Sequence, residues 1–125
     1  NTNKVIRRWK SGPFNPTSFE FGWMPPHPTF FVRREIYQKY GAFNTSLGTA
    51  ADYELMLRLL YVHKFACKYL PKTIVRMRAG GASNQNFLSR IKANKQDRLA
   101  WKINNKSPKF YTLILKPLRK LIQYF

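Results

Sequence analysis

Residues 27–60 read HPTFFVRREIYQKYGAFNTSLGTAADYELMLRLL. Thr29 to Val32 is a short apolar run with the look of a buried strand, and Arg34 to Tyr40 has the length and composition of a short helix. Gly41 stands where a helix of that length takes its C-terminal cap, because glycine enters the left-handed region without a Cβ clash. After a loop through Asn44 and Gly48, Tyr53, Met56, Leu57 and Leu60 recur at i, i+3, i+4 and i+7. That period predicts an amphipathic helix from about Ala51 to His63, widened by Leu55 and Leu59. Asp52 falls in its first turn.

Working outward, Lys4 to Lys10 alternates around Val5, Arg7 and Trp9, as a strand does. Residues 13–28 hold five prolines, which argue for an ordered, aromatic-pinned loop rather than a helix. Phe65, Cys67 and Tyr69 alternate, as do Thr73, Val75 and Met77, so two more strands are predicted around Pro71. Gly80-Gly81 ends the second, and Ser83 is placed to cap a polar helix through roughly Asn104. Beyond Pro108, the residues Phe110, Leu113, Ile114, Leu118, Leu121, Ile122 and Phe125 make one apolar stripe at helical spacing. Pro117 kinks such a helix without abolishing it.

Composition narrows the functional classes. Twenty-three Lys and Arg oppose five acids, for a net charge of +18 in 125 residues. Such a chain attracts polyanions, whether nucleic acid, anionic lipid or a nucleotide diphosphate. The lone Cys67 excludes an intramolecular disulfide and a zinc framework, and its apolar surroundings suit a buried thiol in a reduced, cytoplasmic setting. No run of eighteen apolar residues occurs. The chain opens abruptly without an initiator Met, which suggests an excised segment.

Asp52 is the sharpest chemical candidate. Backbone N–H groups and the helix dipole keep a first-turn carboxylate ionised. An ionised carboxylate beside an alcohol can take its proton, converting a hydroxyl into a nucleophile. A plain helix-start acid is the competing reading, and for an isolated Asp it is the commoner one. Glu54, two residues on, points elsewhere.

The wording around Asp52, together with Trp23-Met24-Pro25-Pro26-His27-Pro28-Thr29 and the later VRMRAGGASN of residues 75–84, resembles the C-terminal, acceptor-side half of a bacterial family 2 glycosyltransferase. The resemblance spans about residues 1–85. It implies an α/β, partial GT-A-like fold: a mixed sheet with packed helices over 1–84, then a basic helical extension over 85–125 with a C-terminal amphipathic helix. It implies inverting transfer from a nucleotide-sugar donor to a saccharide or lipid-linked acceptor in surface polysaccharide synthesis, with Asp52 as general base. Members commonly have Glu-Asp here, whereas this chain has Ala51-Asp52. The resemblance also places His27 in the pocket and Arg78, Gly80, Gly81 and Ser83 near the donor phosphates. Mg²⁺ or Mn²⁺ is expected in the complete enzyme but not from this segment, which has no Asp-x-Asp. The fragment alone is expected to be inactive.

Residues 85–125 contain ten basic residues and one acid. Lys116, Arg119 and Lys120 beside the apolar stripe suit a helix lying on an anionic membrane, and hence a peripheral enzyme on the inner face of the bacterial membrane. Packing of the stripe on its own domain is the alternative. The rival class is a basic nucleic-acid-binding or membrane-surface module without catalysis. No RNP1-like motif, zinc spacing or GXXG loop favours nucleic acid, so none is expected as a partner. A half-sheet leaves an edge through which the chain can form a homodimer.

Overall fold

A computed structural model of the chain describes residues 4–79 and 87–125. Four α-helices carry the fold: α1 (Arg34–Tyr40), α2 (Ala51–Met56), α3 (Phe87–Ile103) and α4 (Thr112–Leu121). Short 3₁₀ turns at Pro16–Phe21, His27–Thr29, Thr45–Ala50 and Ile122–Tyr124 link or extend them. There is no strand among the described residues, so the expected α/β fold with a mixed GT-A-like sheet is corrected to an all-helical one.

The correction has a definite cause. Alternating apolar residues make a strand only where a second backbone pairs with them. Residues 4–10 have no regular structure, and their one backbone bond to another segment among the described residues runs from Arg8 N to Gln123 O at 3.1 Å. Residues 65–77 are irregular too, turning at Lys72, whose N donates to Leu70 O at 2.8 Å, and Tyr69, Ile74, Val75 and Met77 are exposed. Thr29 is not in a strand: Pro26 and His27 carbonyls accept from Thr29 N and Phe30 N at 3.0 and 3.2 Å, closing a 3₁₀ turn. With no sheet edge among the described residues, a dimer through such an edge loses its basis. The Pro-rich segment also holds more helix than its composition suggested. Pro16 at the start of its turn needs no N–H donor, and Asn15 Oδ1 accepts from Thr17 N at 3.1 Å.

The helices fall close to their predicted ranges. α1 has its predicted ends, with Gly41 N donating to Tyr37 O at 2.9 Å. α2 continues without a break as a π-turn over Leu57–Val62, so the helix is nearly as long as its pattern required. α3 ends in a Schellman-type cap. Asn105 takes a positive φ of 54°, while Lys106 N reaches Trp101 O at 3.0 Å. The carbonyl that Pro117 leaves without its helical donor is that of Leu113, and Asn94 Nδ2 approaches it at 3.4 Å from α3.

The core lies where α2 meets α3 and the Pro16–Phe21 turn. Phe19, Leu47, Tyr53, Met56, Leu57, Leu60 and Trp101 are buried together, with Trp23, Phe30 and Tyr61 packed at the edge. Trp101 Nε1 donates to Tyr53 Oη at 2.9 Å, so the largest core side chain also satisfies its polar atom. Since Trp101 belongs to the 85–125 segment, the two predicted parts share this one core.

Arg58 ties α1 to α2. Its guanidinium makes a two-pronged contact with Glu54, at 2.9 and 3.2 Å. It also donates to the carbonyls of Tyr40, Gly41 and Ala42, which close the C-terminal end of α1. Asn104 Nδ2 adds a third donor to Glu54 at 3.0 Å. Glu54 is 2 % exposed, and a carboxylate that deep persists only with such partners.

Candidate functional site

His27 and Asp52, twenty-five positions apart, meet in space. The His27 Nδ1 atom lies 3.2 Å from Asp52 Oδ2, with the side chains 52 % and 26 % exposed. Two constraints bring them together. The 3₁₀ turn at His27–Thr29, stiffened by Pro26 and Pro28, fixes the imidazole. Asp52 sits in the first turn of α2, where Oδ1 accepts from Tyr53 N at 2.7 Å. One carboxylate oxygen is thus held by backbone and the other faces imidazole at an accessible surface. A pair of this form can take a proton from an alcohol brought to it.

Of the predicted phosphate-side residues, Arg78 is described: it is exposed near the end of the irregular 65–79 segment and has no contact with this pair among the described residues. Gly80, Gly81 and Ser83 lie outside the described residues. No group of three or more His, Cys, Asp or Glu side chains converges among the described residues. The described residues therefore do not by themselves fit a divalent-metal site.

Of the three C-terminal cations, Lys116 and Arg119 engage the protein itself, although Arg119 and Lys120 are exposed. Lys116 Nζ lies 2.6 Å from Asp97 Oδ2 and 3.6 Å from the centre of the Tyr53 ring. Arg119 Nε donates to Phe21 O at 2.7 Å. Lys120 is exposed in the same region, and Lys116 and Arg7 add to the desolvation that lowers its ammonium. Burial raises the Asp97 carboxyl above its ordinary value, against the opposing pull of Lys116 and Lys120, while Asp52 raises it further. Desolvation, then Asp97, raise the Tyr53 phenol, offset in part by its Trp101 bond.

The opposite face of α4 is the exposed one. Ile114, Leu118, Leu121, Ile122 and Phe125 all stand in solvent, as does Phe110 before the helix, whereas Leu113 alone of the predicted stripe is fully buried. No helix among the described residues is long and apolar enough to cross a membrane.

Three residues that sequence reading passed over hold this arrangement. Asp97 looked like one acid in a polar helix, yet it anchors α4 through Lys116. Glu20 accepts from Tyr61 Oη at 2.8 Å, and desolvation, followed by that bond and the nearby charge, pushes the Tyr61 phenol up to about 12. Gly22, at φ 75°, brings the Pro16–Phe21 turn so close to α4 that an added Cβ would lie 2.4 Å from Lys116 N. The scarcity of acids was the available signal: in a chain with five, each acid is a candidate anchor for the surrounding cations.

No protein-family model matches the chain, and neither a curated protein nor a solved structure is similar to it.

Proposed function

We propose that the chain contributes the proton-accepting, acceptor-side site of a sugar transferase acting with a nucleotide-sugar donor, with Asp52 as the base and His27 as its positioning partner. The contact between His27 Nδ1 and Asp52 Oδ2 supports this reading. It joins the two residues singled out by chemistry and by resemblance, and it leaves their rim open to an acceptor. Asp52 takes the hydroxyl proton as the acceptor oxygen attacks the anomeric carbon from the side opposite the departing diphosphate, inverting the centre. His27 holds the carboxylate in one rotamer. The resemblance is the other support for a sugar nucleotide. The all-helical fold adds none, and the sequence has no Asp-x-Asp to hold a donor's metal.

The test is nucleotide-sugar turnover by the natural polypeptide that carries this segment. Asp52→Asn is expected to lower kcat by roughly 10²–10⁴-fold with donor binding and helicity unchanged. His27→Gln should cost less, about tenfold, if it positions the base; a loss equal to that of Asp52→Asn moves the base to the imidazole. Near-normal turnover in Asp52→Asn leaves Asp52 a helix-start residue and sinks the reading.

The apolar face of α4 favours a location at the inner surface of a bacterial membrane. That face lies in solvent, in a chain of net charge +18, and anionic lipid offers both an apolar layer and a complementary charge.

A further inference from the structure

α4 has a second functional face, directly opposite the apolar one. Lys116, Arg119, Lys120 and Gln123 lie on one side of the helix and its 3₁₀ extension, where with Gly22, Met24, Trp9 and Trp23 they wall a small open pocket of ≈ 40 Å³ whose lining is mainly apolar with the cations around it. Arg7 stands beside the pocket, held on Gln123, which lines it. Its Nε donates to Gln123 Oε1 at 2.6 Å and its Nη2 donates to the same oxygen, and the guanidinium stacks over Trp9 at 5.1 Å and Tyr124 at 5.7 Å.

The pocket holds more positive charge than the fold neutralises. Among the described residues, Asp97 is the one carboxylate paired with this group, and it engages Lys116. Arg119 uses Nε on a backbone carbonyl and keeps its terminal nitrogens for other partners. Lys120 makes no hydrogen bond or ion pair with any described residue. Desolvation, followed by Lys116 and Arg7, lowers its ammonium below the ordinary lysine value, and Asp97 only partly compensates. Like charges held this close repel, and that repulsion is relieved when an anion enters.

We propose that this pocket is a binding site for a phosphate or diphosphate group, gripped by Lys120, Arg119 and Arg7 between the indoles of Trp9 and Trp23. Lys120 and Arg119 share the lining of one pocket, with Arg7 held beside it on Gln123, and ammonium and guanidinium donors suit the oxygens of a phosphate through charge-assisted hydrogen bonds. Its charge of about −1.5 to −2 offsets more than half of the three positive charges of Lys120, Arg119 and Arg7, where a single carboxylate would offset a third. The site stands apart from the Asp52 reading and does not depend on it. The group can belong to a soluble ligand or to a lipid headgroup.

The test titrates the full chain with inorganic pyrophosphate in salt near physiological strength, following tryptophan fluorescence and calorimetry. Saturable binding is expected, weakened about tenfold or more by either Lys120→Gln or Arg7→Gln, the loss of one charged hydrogen bond. Lys72→Gln, which removes the same charge from an exposed turn outside the pocket, should leave the affinity unchanged. A second arm compares vesicles containing phosphatidic acid with phosphatidylserine vesicles of equal charge. Saturation by pyrophosphate without a phosphatidic-acid preference assigns a soluble phosphate. A phosphatidic-acid preference that Lys120→Gln abolishes assigns a lipid headgroup. Equal weakening by Lys72→Gln, or neither saturation nor preference in variants that keep their helicity, overturns the site.

Discussion

α2 and α4 carry similar apolar stripes in sequence, and the fold treats them in opposite ways. α2 and its π-turn bury Tyr53, Leu55, Met56, Leu57, Leu59 and Leu60, each at most 2 % exposed. α4 buries Thr112 and Leu113 and leaves the rest of its stripe in water. What differs is the surface each helix meets. α2 meets Phe19 and Trp101, a surface that rewards apolar contact. α4 meets Asp97 and the Phe21 carbonyl, partners for cations, while its backbone approaches Gly22 too closely for large side chains between them. An apolar stripe identifies the helix; the neighbour decides which face is covered.

The largest expected effect breaks the α2 side. Trp101→Ala removes the core's largest side chain and strips Tyr53 Oη of its donor, and should cost about 3–5 kcal/mol in urea unfolding. On the α4 side, Gly22→Ala should cost about 2–5 kcal/mol. The new Cβ would meet Lys116 N at 2.4 Å and Thr112 O at 2.7 Å, at a positive φ that L-residues disfavour. A loss under 1 kcal/mol in the same measurement would mean that α4 does not dock at this turn.

Asp97→Leu sharpens the comparison by leaving Lys116 half-enclosed with no counter-charge. A cost of up to about 3 kcal/mol is expected, moderated by the 15 % exposure of the ammonium side chain. Adding Lys116→Met should recover most of it, because the raised Asp97 carboxyl already indicates that desolvation offsets much of the attraction. A double variant as unstable as the single one would show that the ion pair is not what seats α4.

The smallest effect on stability belongs to the exposed face. Ile114→Ser, Leu118→Ser and Ile122→Ser should each change stability by no more than about 0.5 kcal/mol. Together they should reduce co-sedimentation with anionic vesicles several-fold if that face docks on lipid. Unchanged sedimentation of the triple variant would leave attraction by net charge as the whole of the membrane affinity.

Much of the local structure was legible. The ends of α1 follow from a seven-residue run closed by Gly41, and α2 from its i, i+3, i+4 spacing, because both depend on neighbours within one helical turn. The strands were misread because alternation at Phe65–Tyr69 and Thr73–Met77 states a preference, whereas a strand needs a distant partner that this chain does not supply among its described residues. The same division runs through the site. Asp52 was visible from its helix-start position, but its contact with His27 depends on where the Pro-rich turn is held.

By itself, the sequence determined the helices, the surplus of cations and the identity of the few acids able to anchor them. Tertiary structure alone decided that Asp97 draws Lys116 inward, that Glu54 with Arg58 seals α1, and that the apolar face of α4 is left outside. Helix periodicity is a short-range property of a chain, fixed by backbone geometry. The choice of buried face balances desolvation of charge against burial of apolar area, and that balance is set only when distant segments meet.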